Sequence, residues 1–381
     1  MPGVNKGVSK TAKQQTANSQ VFTLLGQHSL SDYVTAIAWF PEAVGSAANY
    51  LVASSAAGEV ALYQVGTQLD GTMLQSATDQ SVDCLAVSRD GQFVAAGGQD
   101  GRVQIWQVEL AELSSPKPTL IASLENAPAW VDRMAWNPQQ NLLAFSLGRY
   151  VQVWDAAANQ VVTTLNFENS SVLDITWHPD GDRLTVAGYQ GIKVWSAADW
   201  DDDPYLVEIP SASTIVAWSP DGKYIASGNI DRTISVLEWE NPAMPWLMRG
   251  FPGKIRQLVW SDTALKRGAP LLASSSSESI VVWEKHPDER VGWEGQVLGQ
   301  HDARIEAMQF QPGTSTLATA GADGWVVLWQ KRRLGQMLDG APDGFSSLCW
   351  HAKGHQLAAG GAAGELVVWS KGTRGQGFGQ K

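Results

Sequence analysis

Cysteine is nearly absent from this chain: Cys84 and Cys349 are the only two among 381 residues. So sparse a supply excludes a disulfide framework and fits reduced, buried thiols that behave as small core hydrophobes. No apolar run of about 20 residues occurs, and residues 1–20 lack the apolar stretch of a secretory leader. The expectation is a cytoplasmic protein with no membrane partner. Catalytic signatures are missing too: there is no Gly-x-x-x-x-Gly-Lys-Ser/Thr, Gly-x-Ser-x-Gly, Cys-x-x-Cys or His-Glu-x-x-His.

Basic charge is scarce and displaced to the ends. Lys6, Lys10 and Lys13 fall in residues 1–20, and Lys371, Arg374 and Lys381 in residues 371–381, with no acid in either segment. Without those six, 21 basic residues face 38 acidic ones, a body about 17 charges negative. Such a body repels nucleic acid. The end segments are rich in Gly, Gln, Ser, Thr and Lys and bury too little apolar area to offset ordering entropy, so both read as flexible basic tails around one domain at 21–370.

Tryptophan, by contrast, is abundant, and its spacing is regular. A Trp or a stand-in closes a short apolar strand at Tyr63, Trp106, Trp154, Trp195, Leu237, Trp283, Trp329 and Trp369, at intervals of 43, 48, 41, 42, 46, 46 and 40 residues. A second column runs about 20 residues upstream of the first, at Trp39, Val87, Trp136, Trp177, Trp218, Trp260, Phe310 and Trp350. Together the columns absorb 12 of the 18 Trp residues, so the high count marks repeated packing positions and not an aromatic binding site. A period of about 40 to 45 residues with four short strands per unit specifies β-propeller blades, an all-β fold.

The fourth unit shows the pattern: Val172, Ile175 and Trp177 lead to His178-Pro179-Asp180-Gly181, then Leu184 to Gly188, then Ile192-Lys193-Val194-Trp195. The turn recurs at Pro220-Asp221-Gly222 and, as Arg-Asp-Gly, at Arg89-Asp90-Gly91, where Asp caps its own turn and Gly supplies positive φ. On these residues the chain resembles the WD-repeat (WD40) β-propeller family over roughly 21–370. The resemblance implies a structural tetrad of His, Ser or Thr, Asp and Trp, which the seventh unit carries whole as His301, Thr319, Asp323 and Trp329. The second unit has Asp100 and Trp106 but Ala96 and Thr78 in the other places, and the fifth keeps Ser227 and Asp231 but has Leu237 for Trp. Most blades must therefore rely on apolar packing. Counting units gives eight blades, with seven as the commoner alternative, and the resemblance implies that an N-terminal strand at Val21 to Gly26 closes the ring.

The resemblance also places function on the loops. Those entering each innermost strand, with the turns before each Trp-closed strand, share one face, the top. There Lys254, Arg256 and Arg304 fall on the adjacent sixth and seventh blades with Trp325 beside them, while Tyr33 and Trp130 lie on the first and third. Exposed Trp, Tyr and Arg are enriched at binding hot spots, so these six are the candidate partner-binding residues. On the opposite face Trp200 precedes Asp201-Asp202-Asp203, and Trp239, Trp246 and Trp293 fall in long, Pro-rich connections or outer strands after the fifth and sixth units; these read as local stabilisers or as a second surface. Cys349, His351 and His355 are the one metal-like group, but Cys349 and His351 occupy the repeat positions of Thr176 and His178. The expected function is a non-enzymatic interaction scaffold without cofactor or metal, a monomer within a larger complex of protein partners. The alternative is a propeller enzyme or metal-handling protein with its site at the central channel.

Overall fold

The computed structural model describes residues 21–41, 49–109, 116–168, 170–189, 191–209, 211–264 and 268–372. The expected basic tails lie outside the described residues apart from Lys371 and Gly372.

The strands fold into eight four-stranded antiparallel sheets. In the first blade Val34–Trp39, Asn49–Ser55, Val60–Val65 and Leu69–Gln75 run in order from the axis outward. Six more follow the same meander, and the innermost strands end at the second Trp column except in the sixth blade, where Ile255–Ala264 runs past Trp260. The eighth blade takes Phe345–Trp350, Gln356–Gly361 and Glu365–Lys371 from the end of the chain and its outermost strand, Phe22–Ser29, from the beginning. Ring closure by the N-terminal strand and the count of eight are thus as the repeat pattern predicts. The innermost strands of the third and fourth blades begin at Met134 and Asp174. Closure also reaches the seventh blade, because Gln336 accepts the Phe22 N–H at 2.9 Å and donates to its carbonyl at 2.7 Å.

The second and third strands of each blade are covered on both sides by sheet, so they read as nearly continuous apolar runs rather than alternating ones. Val326–Gln330, for example, is buried at four of five positions. The buried apolar side chains divide into eight clusters, each spanning two neighbouring blades, so the core is a ring of inter-blade layers. At the bottom, where the innermost strands end, Gly91, Gly181 and Gly222 hold φ of +69°, +74° and +69°, as the Asp-Gly turns require.

A second device ties the blades together at that end. The indole N–H of Trp39, Trp136, Trp177, Trp260 and Trp350 donates to the preceding blade, to the carbonyls of Cys349, Ala86, Ala135, Ala217 and Gln309 at 3.0–3.3 Å. Trp218 donates instead to the Thr185 hydroxyl at 2.9 Å. Val87 and Phe310 occupy the two remaining positions of the column and carry no such donor. The joints between the first and second and between the sixth and seventh blades therefore lack an indole staple.

Candidate functional site

The seventh-blade tetrad forms as a chain of hydrogen bonds running from Asp323 through His301 and Thr319 to Trp329. His301 Nδ1 lies 2.9 Å from Asp323 Oδ2, and its Nε2 lies 2.9 Å from the Thr319 hydroxyl. The Trp329 indole donates to Thr319 at 3.0 Å, so it serves Asp323 only through the intervening hydroxyl and His301. Asp323 also receives the backbone N–H groups of Asp302 and Trp325 at 3.0 and 3.2 Å. Those bonds hold Trp325 at the top of the turn. In the fifth blade the expected Asp231 bonds only its neighbour Thr233, and Asn229 takes the buried role, linking Ser227, Thr233 and Ser235. Asn supplies both acceptor and donor there, which suits a blade without the His and Trp donors.

The six candidate residues all reach the top face, but not as one group. Tyr33, Trp130 and Trp325 are 37%, 57% and 39% exposed, and Lys254 and Arg304 are exposed beside them in the strand order, with Arg256 half-buried. Tyr33, Lys254, Arg256, Arg304 and Trp325 occupy the arc from the sixth blade through the eighth to the first. Trp130, on the third blade, stands diametrically opposite the seventh and is not part of that arc. Arg304 is also not free, because it pairs with Glu306 two residues along the same strand. Lys254 and Arg256 form no ion pair among the described residues. Tyr33 lies with the seventh and eighth blades: burial and the Glu306 charge push its phenol above the usual value, while Ser346, within hydrogen-bonding reach, and Arg304 oppose them.

The remainder of the top face is acidic. Asp32, Asp83, Asp100, Asp132, Asp343 and Glu365 lie on the eighth through third blades. Arg102 and Arg133 in that sector are engaged by Asp100 and Glu125 and by Asp174. Arg149, Arg232, Lys254 and Arg256, on the third, fifth and sixth blades, are top-face cations without an ion pair among the described residues, and those of the sixth share their arc with the exposed rings of Trp325 and Tyr33.

A cavity of about 920 Å³ opens at the bottom mouth of the channel, which sequence reasoning did not anticipate. Ile37, Val87, Val259, Met308 and Leu348 line it, with Arg89 at its edge. It spans the arc between the two joints that lack an indole staple. Cys349 is in its wall, and burial pushes its thiol far above the ordinary value, away from the thiolate that binds metal. The His351 ring packs edge-on to Trp39 at 5.2 Å, as His178 does to Trp218 at 4.8 Å, so both serve the repeat. Among the described residues no three His, Cys, Asp or Glu side chains gather in a metal-binding arrangement.

Four aromatic residues of the connections prove to be packing residues. Trp200 meets Trp177 at 6.1 Å, Trp239 meets Trp218 at 5.1 Å, Trp246 meets Trp293 at 6.5 Å, and Trp293 is 7% exposed. Their neighbours Tyr205, Leu206, Met244 and Leu247 are the exposed ones, at 51%, 47%, 74% and 48%. The adjacency of Tyr205 and Leu206 in an otherwise alternating strand was the available signal.

Comparison with known proteins agrees with this architecture. A family model described as "WD domain, G-beta repeat" matches residues 70–107, 159–196, 211–237 and 292–330. Each match starts before an innermost strand and ends at the Trp-closed strand, so the sequence repeat is offset from the blade. The chain is 21% identical to Protein hir-1 of Neurospora crassa, covering 74% of this chain and 33% of that protein. It is 23% identical to the transcriptional corepressor LEUNIG_HOMOLOG of Arabidopsis thaliana, covering 65% and 30%. The chain thus spans about a third of the length of these relatives. Sqt1 of Chaetomium thermophilum, solved bound to the N-terminus of ribosomal protein L10, superposes with a TM-score of 0.76 at 17% identity, covering 91% of this chain and 99% of that one.

Proposed function

Since the chain belongs to the WD-repeat β-propeller family, we propose that it is a non-enzymatic interaction platform whose top face binds a protein or peptide partner. The observation that carries this reading is the top-face arc that holds Lys254 and Arg256, without carboxylate partners among the described residues, on the sixth blade and the exposed rings of Trp325 and Tyr33 on the seventh and first. Apolar side chains of the partner pack on Trp325 and Tyr33, and its acidic groups meet Lys254 and Arg256. Arg304 contributes once a partner carboxylate competes with Glu306. Trp130 belongs to a separate part of the footprint or to none. An acidic partner approaching an acidic body is steered to this sector by the local field, and salt weakens the encounter. The Sqt1 structure supports the reading by showing the same fold holding an N-terminal protein segment. Two unpaired cysteines in separate blades, Cys84 buried and Cys349 partly so, suit a reducing compartment such as the cytoplasm.

The test is affinity purification of the full chain from its native host, with Lys254→Glu, Arg256→Glu and Arg304→Glu combined. The principal partner should be lost while the melting temperature stays within about 2 to 4 °C of wild type, as surface changes in a large domain allow. A partner retained by this variant but lost when Asp201, Asp202 and Asp203 are replaced by Ala would overturn the top-face reading.

A further inference from the structure

Two grooves flank Asn241–Met248, the outermost strand of the fifth blade. The larger, about 590 Å³, separates it from Tyr205–Glu208, the outermost strand of the fourth. That volume falls within the roughly 300 to 1,000 Å³ of ligand clefts. Its walls expose Tyr205, Leu206 and Leu247, each about half accessible at 51%, 47% and 48%, together with Pro242 and Pro245. Met244, at 74% the most exposed large apolar side chain described, lines the second groove across the same strand. The outermost strands of the other blades also expose single apolar residues such as Leu24, Met73, Val297 and Leu334, but here two neighbouring strands bring Tyr205, Leu206, Met244 and Leu247 together as an apolar strip, and packing within the fold does not use them.

The strand on the other wall is also unusual. Tyr205–Glu208 has four residues, whereas the outermost strands of the other blades have six to nine. Its outer edge is unpaired among the described strands and leaves backbone donors and acceptors beside the apolar strip. Prolines at 242 and 245 remove two donors from the facing strand, so pairing on that side is disfavoured.

Charge identifies the occupant. At the lower end of the groove, Asp201, Asp202 and Asp203 lead through Pro204 into Tyr205, and Glu238 and Glu240 lead into Asn241. None of these five forms an ion pair among the described residues. Of the neighbouring cations, Lys223 is exposed with no ion pair among the described residues, and the others are engaged. The Lys285 ammonium sits 5.1 and 5.0 Å from the Tyr224 and Trp246 rings, bonds the Tyr224 hydroxyl at 3.0 Å, lies 4.0 Å from Glu289 and feels the charge of Glu238, which leaves Asp201, Asp202, Asp203 and Glu240 as the carboxylates it does not serve. Arg183 pairs with Asp182 and covers Trp239, and Arg290 pairs with Asp288 at 2.8 Å.

We propose that this lateral groove docks a short extended segment of a partner protein whose apolar side chains fill the strip and whose adjoining Lys or Arg residues lie over Asp201, Asp202, Asp203 and Glu240. The backbone of that segment adds to the open edge of Tyr205–Glu208, the mode by which sheet edges take peptides. The site is distinct from the top face and does not rest on it.

The probe is a fluorescein-labelled peptide of alternating Leu and Thr ending in three Lys, titrated with the full chain and read by anisotropy. Leu206→Thr with Leu247→Thr leaves the charge unchanged, and both positions are exposed enough to preserve the fold. This variant should weaken binding about tenfold or more, as should Glu in place of the peptide lysines, whereas Lys254→Glu should leave binding unchanged. No binding to wild type, equal binding to the Leu206/Leu247 variant, or self-association of the chain through this face in sedimentation would overturn the proposal.

Discussion

The indole N–H of Trp350, at the end of the eighth blade's innermost strand, donates to the carbonyl of Gln309 in the seventh at 3.2 Å, and the Gln309 side chain in turn accepts the Trp350 backbone N–H at 2.7 Å. Four other blades repeat the indole bond at the same register. Trp177→Phe removes the donor to Ala135 together with part of the buried indole, so it should cost about 1 to 3 kcal/mol in urea unfolding. No measurable loss would show that the indole bond contributes nothing to the joint.

Trp329 and Trp325 separate structure from surface. Trp329→Ala removes a 4% exposed ring and leaves Thr319 and its partners short of a donor, for an expected loss of about 3 to 5 kcal/mol. Trp325→Ala should cost under about 1 kcal/mol. Equal losses in denaturant melts would reverse the assignment.

Asp174 gives a pH dependence. Its carboxylate accepts the Val216 N–H across the blade joint at 2.9 Å and lies 3.6 Å from Arg133, yet burial dominates and pushes its pKa from 3.8 up to about 6. A carboxyl raised in the folded state binds its proton more tightly there than in the unfolded chain. Stability therefore falls as pH rises from about 4 through about 6 and stays lowered above that. Asp174→Asn keeps the acceptor for Val216 and should raise stability by about 1 to 3 kcal/mol near neutral pH, with the gain fading toward pH 4. Thermal melts across that range check it; a gain constant with pH would contradict it.

Removal of residues 1–20 should leave the melting temperature unchanged. Removal through Gly26 takes Phe22, which is 3% exposed and meets Trp350 edge-on at 5.3 Å, together with half of the pairing to Glu365–Lys371. Melting should then drop by more than about 10 °C, consistent with loss of several kcal/mol from one blade. An unchanged melt would refute closure by this strand.

The Trp columns made the blades legible because each blade repeats one packing problem. What lies between blades was less legible. The indole staples join residues about 40 positions apart, and neither the missing donors at Val87 and Phe310 nor the cavity between those joints follows from one unit read alone. Trp130 looked equivalent to Tyr33 because every repeat supplies the same loop, and only the ring places it opposite. The Arg304–Glu306 pair was readable, since residues two apart on a strand share a face. Asn229 escaped because the tetrad pattern directs attention to Asp231, two residues later.

The central claim is that the sixth-to-first-blade arc of the top face holds the partner. A photo-crosslinking amino acid in place of Trp325 tests it directly, with the same group at Trp200 and at Tyr205 for comparison. Crosslinking in the native host should join the principal partner through position 325 and not through 200 or 205. Its capture only through 205, or equally through all three, would contradict the account.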